Sequence, residues 1–182
     1  MESTQQSIDI GKYRFVKYLS KEVIKSRILE LGREIATDYK DKCPLFVIVL
    51  NGAFMFAADL VRAFSYECEL QFVKLASYEG TSSTGVVKQI IGLPDTVHGR
   101  HIIIVEDIVD TGRTIQNMMR DLERFNPASV SVATLLLKPD CVEMEFESPY
   151  VGFEIPDAFV IGFGLDLDGK ARNLDSIYQL QT

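Results

Sequence analysis

Length, composition and charge set the first limits on what this chain does. The chain has 182 residues, of which 47% are hydrophobic, and a formal net charge of -7. This length suits one compact domain with a small appended lobe. The negative charge argues against nucleic-acid binding, which needs a basic face. No apolar run is long enough to span a membrane, and residues 1–9 lack the apolar core of a signal peptide.

The cysteine content bears on location. The chain has three cysteines, an odd number at wide spacing, which fits neither a disulfide framework nor a zinc site. We therefore expect a reducing, cytoplasmic environment and no membrane partner.

The chain begins with a predicted helix and a predicted buried strand. Ser20 is a suitable N-cap for a helix that runs to about Tyr39, because apolar residues recur on one face of that segment. Cys43-Pro44 ends it. Leu45–Leu50 is a continuous apolar run, typical of a strand that is buried on both faces. Asn51-Gly52 then marks a turn.

Strands and helices alternate through the rest of the chain. Residues 77–99 carry several glycines and a proline among serines and threonines, so we expect much of this region to be mobile loop. The last predicted strand is an edge strand. The further predicted elements are helices at 53–64 and 112–125 and strands at 70–75, 101–106, 130–137, 159–163 and 176–180.

This alternation predicts an α/β fold. Strands separated by helices form right-handed βαβ units and a parallel sheet. Ligands of such sheets bind beyond the carboxyl ends of the strands. Three polar segments fall at predicted strand ends, namely Asn51-Gly52, residues 106–114 and Lys138. The sequence therefore predicts that these segments share one binding site.

The most informative segment is 102–114, Ile-Ile-Ile-Val-Glu-Asp-Ile-Val-Asp-Thr-Gly-Arg-Thr. An apolar strand ends in Glu106 and Asp107. A third carboxylate, Asp110, precedes a loop of small residues and a predicted helix. A buried strand followed by a small-residue loop and a helix N-terminus is a common binding site for anions.

The loop at 111–114 suits a phosphate monoester. It offers backbone N–H groups and hydroxyls at the positive end of a helix dipole, and it lacks the Gly-x-x-x-x-Gly-Lys spacing of a Walker loop. Glu106 and Asp107 are poor neighbours for a second phosphate but good acceptors for the vicinal hydroxyls of a ribose. The pattern predicts a ribose 5-phosphate site. The alternative is a solvated acidic turn that closes a strand.

Val-Glu-Asp-Ile-Val-Asp-Thr-Gly-Arg-Thr resembles the phosphoribosyl-pyrophosphate signature of the type I phosphoribosyltransferases. From Leu45 to Leu174 the chain resembles the hypoxanthine-guanine branch of that family. The resemblance implies one domain over 1–182, with a core at about 40–150. The implied fold is a central parallel sheet flanked by helices, a small hood lobe formed by the N-terminal and C-terminal segments, and a mobile flap loop.

The same resemblance implies roles around the central motif. Asp110 matches the carboxylate near the purine N7, where it is the catalytic general base or electrostatic partner. Glu106 and Asp107 match the pair that holds the ribose hydroxyls. The 5-phosphate loop is matched by five consecutive residues: Asp110, Thr111, Gly112, Arg113 and Thr114.

Two further segments match the pyrophosphate site. Leu50, Asn51 and Gly52 resemble a loop with a cis peptide between its first two residues. Arg172 matches an arginine that holds pyrophosphate. A guanidinium group suits this role since its N–H donors fit phosphate oxygens. Ser77-Tyr78 matches the flap that excludes water from the cationic centre formed in the reaction. The alternative interpretation of this segment is a polar surface loop.

The purine site is implied by four residues. Lys138 matches the lysine that contacts the 6-oxygen, and its ammonium group, a donor only, favours a 6-oxo over a 6-amino group. Without the family spacing, Lys138 reads as an ordinary exposed lysine and Phe159 as core. Phe159 and Val160 match the stacking aromatic and the neighbour whose backbone pairs with the ring. Asp166 matches a carboxylate that binds magnesium, and its spacing to Arg172 favours it over Asp168.

Two positions depart from the family pattern. Asn51 stands where several relatives have a basic residue, and Ala76 where some have lysine. Either change is expected to affect pyrophosphate contacts or subunit coupling, not the base, ribose or purine groups.

The resemblance implies a purine-salvage enzyme. It would use phosphoribosyl pyrophosphate and a 6-oxopurine, hypoxanthine or guanine, and release IMP or GMP and pyrophosphate. Mg²⁺ is the implied cofactor, with Glu106, Asp107 and Asp166 as candidate ligands, and a homodimer or homotetramer is the implied assembly. The alternatives are a non-catalytic transcriptional regulator on the same fold and, with less support, a phospho-acceptor receiver domain.

Overall fold

The structure, a computed structural model, describes residues 6–76, 88–91, 97–143 and 150–181. Within these residues the chain forms three α-helices, one short 3-10 turn and ten strands. The elements are β1 (Ser7–Ile10), β2 (Tyr13–Leu19), α1 (Lys21–Tyr39), β3 (Leu45–Leu50), α2 (Phe54–Phe64), β4 (Glu69–Ala76), β5 (Lys88–Ile91), β6 (His101–Val109), α3 (Arg113–Glu123), β7 (Ser129–Leu137), the 3-10 turn (Pro139–Cys141), β8 (Tyr150–Glu154), β9 (Val160–Ile161) and β10 (Ile177–Leu180).

The larger sheet has six strands in the order β5-β4-β3-β6-β7-β8. The five strands from β4 to β8 in this order pair in parallel, and only β5 runs antiparallel to its neighbour. The predicted α/β class and parallel sheet are therefore confirmed. The carboxyl ends of β3, β6 and β7 lie side by side, which brings the three polar segments to one edge of the sheet.

Helices cover both faces of this sheet, as its sequence requires. Side chains alternate across a strand, so Phe46 and Ile48 of β3 pack with α1 and α2. Val47 and Val49 face the other side and pack with α3. Because both sets are buried, β3 reads as an unbroken apolar run.

The smaller sheet is antiparallel and has the order β1-β2-β10-β9. It joins segments from opposite ends of the chain. Phe15, Ile161 and Tyr178 form its own small apolar cluster. We call this sheet the hood sheet.

Helix α1 matches the prediction closely. Its N-cap is Ser20, whose hydroxyl accepts a hydrogen bond from the backbone N–H of Val23 at 3.4 Å. In the described part of the chain, no helix has both the length and the apolar character needed to cross a membrane.

Three expectations about strands need correction. The strand that begins at His101 continues to Val109, three residues beyond the predicted end, because it keeps pairing with β7 through Ile108 and Val109. β10 is not an edge strand, since it lies between β2 and β9. The strand predicted at 159–163 is reduced to Val160–Ile161. The region 77–99, predicted to be largely loop, includes one short strand, β5, and its residues 77–87 and 92–96 lie outside the described residues. Strands β1, β2 and β8 had no counterpart in the sequence prediction.

The contact between α1 and α2 generates a stability prediction. A Cβ built on Gly32 would lie 2.5 Å from Ala63 Cβ. Glycine-to-alanine changes inside helices ordinarily stabilise by up to about 1 kcal/mol, but overpacking destabilises by about 1–3 kcal/mol. We expect Gly32→Ala to lower the free energy of unfolding by about 1–2 kcal/mol in urea titrations. The control Ser26→Ala, on the exposed face of α1, should change it by less than about 0.5 kcal/mol. A more stable Gly32→Ala protein would contradict the packing argument.

Candidate active site

Glu106 and Asp107 are the most deeply buried carboxylates at the sheet edge. They lie within β6, not after it, and Glu106 pairs with Thr134 of β7. In the described structure, Glu106 Oε2 is buried and has no hydrogen-bond partner. Burial raises the pKa of Glu106 well above its usual value, with the neighbouring Asp107 adding to the effect. Burial also raises the pKa of Asp107 to about 6, against backbone hydrogen bonds that lower it.

The loop that follows β6 forms a small cavity of about 90 Å³ at the start of α3. The five residues predicted to hold a 5-phosphate line it together: Asp110, Thr111, Gly112, Arg113 and Thr114. Gly112 is the N-cap of α3 and has a φ of 81°, a left-handed value that favours glycine. Glycine has no side chain to cap the helix. The backbone N–H of Arg113 makes only a long hydrogen bond, to Thr111 Oγ1 at 3.5 Å, so the first turn of α3 can still donate to a ligand.

The Arg113 side chain points to a different partner. Its Nε donates to Glu143 Oε2 at 2.9 Å, and its second guanidinium nitrogen lies 2.8 Å from the same oxygen. The backbone N–H of Glu143 also donates to Thr111 O at 3.2 Å. Glu143 therefore occupies the Arg113 side chain, and an anion in the loop would meet the Arg113 backbone N–H, which donates to Thr111 Oγ1 at 3.5 Å. Glu143, which the sequence analysis missed, holds the loop from outside.

Two glycines bring the segments at 50–52 and 162–172 together beside β6. The Leu50–Asn51 peptide bond is cis, as the resemblance implies. A Cβ on Gly52 would overlap the Asp107 carboxylate, and a Cβ on Gly164 would overlap the carbonyl oxygen of Gly52. Only residues without a side chain allow these approaches. The structure thus brings the predicted pyrophosphate loop into contact with the predicted ribose carboxylates.

Asp166 and Arg172 form an ion pair in the same region. A guanidinium nitrogen of Arg172 lies 2.5 Å from Asp166 Oδ1. Asp166 Oδ2 accepts from the backbone N–H of Gly169 at 2.6 Å, and Arg172 also donates to Gly164 O at 2.7 Å. The pair closes the loop from 164 to 172 and places a cation and a carboxylate beside Gly52.

Lys138 lies at the carboxyl end of β7 and is buried. Its Nζ donates to Asp110 Oδ2 at 2.8 Å and to Asp157 Oδ1 at 3.0 Å. Burial acts to lower the pKa of Lys138, but the two carboxylates outweigh it and the net shift is upward. Lys138 is therefore a charged donor held between two acids. Asp157 was not predicted, because nothing in its local sequence shows that it meets a lysine nineteen positions earlier.

Val160 begins β9 of the hood sheet, and Phe159 directly precedes it. Phe159 is 47% exposed, a high value for a phenylalanine, whereas Val160 is buried. With Tyr13, Phe15 and two leucines, Phe159 lines an apolar cavity of about 170 Å³. The Phe159 ring thus presents an open apolar surface two residues from Asp157, which contacts Lys138. Ser77 and Tyr78, the predicted flap residues, lie outside the described residues.

The carboxylates of the site could bind a metal ion such as Mg²⁺ only together with oxygen atoms from a ligand. Among the described residues there is no group of three or more His, Cys, Asp or Glu side chains arranged to hold a metal ion. Mg²⁺ prefers oxygen ligands and commonly binds through one or two carboxylates together with substrate phosphates and water. The unpartnered oxygen of Glu106 and the raised pKa of Asp107 are consistent with a positive or hydrogen-donating ligand at this point.

Comparison with known proteins identifies the family. The model of the phosphoribosyl transferase domain matches residues 17–168. The hypoxanthine-guanine phosphoribosyltransferase of Mycobacterium bovis is 43% identical over 166 residues, which cover 87% of this chain and 82% of that protein.

Solved structures agree with this match. A hypoxanthine phosphoribosyltransferase from Staphylococcus aureus superposes with a TM-score of 0.85 at 36% identity, covering 91% of this chain and 90% of that one. The Trypanosoma cruzi hypoxanthine phosphoribosyl transferase, studied for the role of its C-terminal region in oligomeric state and activity, gives 0.86 at 34% identity over 96% and 95% of the two chains. The comparisons lend no support to a transcriptional regulator. The chain therefore belongs to the phosphoribosyltransferase family, in its hypoxanthine-guanine branch.

Proposed function

We propose that the protein transfers a 5-phosphoribosyl group from phosphoribosyl pyrophosphate to N9 of hypoxanthine or guanine. One observation carries the proposal for this chain's own residues: Lys138 and Asp110 are in contact at 2.8 Å beside the phosphate loop. On a 6-oxopurine, the 6-oxygen and N7 are neighbours on one edge. A lysine donor next to a carboxylate acceptor therefore matches the 6-oxygen and a protonated N7.

The reaction proposed here breaks the bond from ribose C1 to pyrophosphate and forms a bond from C1 to purine N9, with inversion. The electron pair of the broken bond leaves with pyrophosphate. Asp110 stabilises the positive charge that develops on the ring and accepts the N7 proton, which restores the neutral ring of the product. Lys138 holds the 6-oxygen as charge shifts within the base.

The donor would bind with its 5-phosphate at residues 111–114 and its ribose hydroxyls at Glu106 and Asp107. Leu50, Asn51, Gly52 and Arg172 would hold its pyrophosphate, and the Phe159 ring would stack on the purine, with the Val160 backbone and Asp166 beside it. Ser77 and Tyr78 are proposed to cover the donor. This arrangement accelerates transfer chiefly by positioning and by neutralising the leaving group.

We propose Mg²⁺ as the cofactor. Asp166, with Glu106 and Asp107 near the ribose, would hold it together with oxygens of the donor. Bound there, the ion supplies positive charge that offsets the developing charge on pyrophosphate. Mg²⁺ commonly binds through one or two carboxylates together with substrate phosphates and water, so we propose that the ion binds together with the donor.

Location and assembly are proposed on separate grounds. We propose a cytoplasmic enzyme, because Cys43, Cys68 and Cys141 are all free thiols.

We also propose a homodimer or homotetramer. Leu70 and Phe72 are exposed large apolar side chains two residues apart on β4, and an apolar patch of this kind commonly marks an interface. Analytical ultracentrifugation tests the assembly.

Replacing the proposed base tests the mechanism. We expect Asp110→Asn to lower kcat by about 10²- to 10⁴-fold, because positioned acid-base groups contribute that much, and to change the donor KM far less. Product formation from hypoxanthine, guanine, xanthine and adenine, each with donor and Mg²⁺, gives the measurement. Asp41→Asn, at an exposed carboxylate in the turn after α1, is the matched control. An unchanged kcat in Asp110→Asn would remove Asp110 from the mechanism.

Replacing the lysine tests base selection. Glutamine can donate to a 6-oxo group and accept from a 6-amino group. We expect Lys138→Gln to raise the hypoxanthine KM and to reduce the kcat/KM preference for hypoxanthine over adenine by about tenfold or more, since hydrogen bonds to charged groups contribute at this scale. Lys25→Gln, at an exposed position of α1, controls for loss of charge. If preference is retained in full, another group selects the base.

Removing divalent cations tests the cofactor. We expect a chelator to abolish transfer and excess Mg²⁺ to restore it, because the leaving pyrophosphate depends on the ion for charge neutralisation. Chelator saturated with Mg²⁺ beforehand serves as the control. Full activity after exhaustive chelation would rule out the cofactor.

A further inference from the structure

The environment of Lys138 contains an acid whose position is set by the sheet. The backbone N–H of Lys138 donates to Val109 O of β6 at 2.9 Å, which places Lys138 next to Asp110. On the other side, the N–H of Ile155 donates to Leu137 O at 2.8 Å and extends the pairing of β7 with β8. Asp157 follows two residues later. The two strands beside β7 therefore each deliver one carboxylate to the same ammonium group.

The two carboxylates cannot have equivalent tasks if the proposed function is correct. Asp110 lies beside the phosphate loop and is the proposed partner of N7, so it must give up part of its contact with Lys138 when a purine binds. Asp157 lies outside that loop and is not a partner for N7 in the proposed reaction. An ammonium group has three donors: two face the carboxylates in this structure, and the third remains for the purine.

Asp157 also connects the two parts of the purine site. It lies two residues before Phe159, and the N–H of Leu180 donates to Phe159 O at 2.9 Å, which ties this segment to the hood sheet. The contact between Lys138 and Asp157 thus fixes the group at the purine edge relative to the ring at its face.

We propose that Asp157 is a positioning residue for the purine: it keeps the Lys138 ammonium oriented toward the 6-oxygen while Asp110 engages N7. This inference rests on the proposed function and adds a specificity-determining residue to it. Asp157 does not touch the reacting atoms and acts through Lys138.

The charge balance around Lys138 supports this role. The groups that face the ammonium are Asp110 and Asp157, and the Cys141 thiol lies beside Asp157. The Lys138 side chain is only 9% exposed, so a lysine without its second acid would be a poorly compensated buried cation. Removal of Asp157 should therefore lower the pKa of Lys138.

The test is Asp157→Asn with two controls. Asp157→Glu keeps the charge, and Asp140→Asn removes another exposed carboxylate from the turn after Lys138. We expect Asp157→Asn to raise the KM for hypoxanthine and guanine about three- to tenfold, the range for a hydrogen bond to a charged group with one exposed partner. The donor KM should stay unchanged. Asp157→Glu should recover most of the purine KM, and Asp140→Asn should behave as wild type.

A pH profile supplies a readout that a purely structural role would not move. The upper limb of kcat/KM for hypoxanthine should shift to lower pH in Asp157→Asn, because the lysine loses its proton earlier. Ionisation of hypoxanthine contributes the same alkaline limb to both profiles, so a difference between the profiles reports on the enzyme. NMR titration of carbon-13-labelled lysine, with Lys138 assigned by its loss in Lys138→Gln, should show the same downward shift without any turnover.

The outcomes separate the two proposals. If wild type fails to make IMP or GMP, the proposed function falls, whereas the NMR titration still reports on the contact between Asp157 and Lys138. If wild type is active but Asp157→Asn has normal purine KM and an unshifted profile, the positioning role is wrong. A Tm loss with equal changes in both KM values, not recovered by Asp157→Glu, would also overturn it in favour of a structural role.

Discussion

The structure is organised around two adjacent carboxylates within one strand, Glu106, which is buried, and Asp107, which is partly buried. Glu106 and Asp107 sit inside the β6 ladder, and their pKa values rise because water has been removed from around them. Burying an acid without a full set of partners is unfavourable. A fold retains such an arrangement where a ligand completes it. Hydroxyl groups of a sugar and a divalent cation both bring what these oxygens lack.

The surrounding segments are shaped by this pair. Gly52 allows its loop to reach Asp107, Gly164 allows a second loop to reach Gly52, and neither position tolerates a Cβ. Arg172 is among the groups that act on Asp107, which it stabilises in its charged form. After β6 the chain passes from these acidic side chains, which accept hydrogen bonds, to the N-terminus of α3, whose backbone N–H groups donate them. The site therefore offers acceptors for hydroxyls and donors for phosphate at a spacing set by one strand and one turn.

Much of the core could be predicted because its sequence signal is local. Leu45–Leu50 is apolar throughout since both faces are buried, and the Ser20 cap marks the start of α1. The end of β6 was misjudged because acids usually signal solvent, whereas here they are held inside a ladder. Ile108 and Val109 carried the correct signal. The place of β10 within the hood sheet depends on partners from the other end of the chain, which local patterns do not reveal.

In the site, too, features with a local sequence signal could be predicted, and features that depend on distant residues could not. The position of the loop at 110–114 before α3 could be predicted from its residues, and its phosphate role stays a proposal. The roles of Lys138, Phe159 and Arg172 came only from resemblance and are also proposals. Asp157 and Glu143 were missed because each is defined by a side chain distant in sequence. Only the structure shows that these two acids contact Lys138 and Arg113.

The most direct test is a crystal structure of the protein with phosphoribosyl pyrophosphate and Mg²⁺. The account predicts the 5-phosphate against the backbone of residues 111–114 and the ribose hydroxyls within hydrogen-bonding distance of Glu106 and Asp107. A donor bound at full occupancy elsewhere on the protein, with these carboxylates untouched, would contradict it.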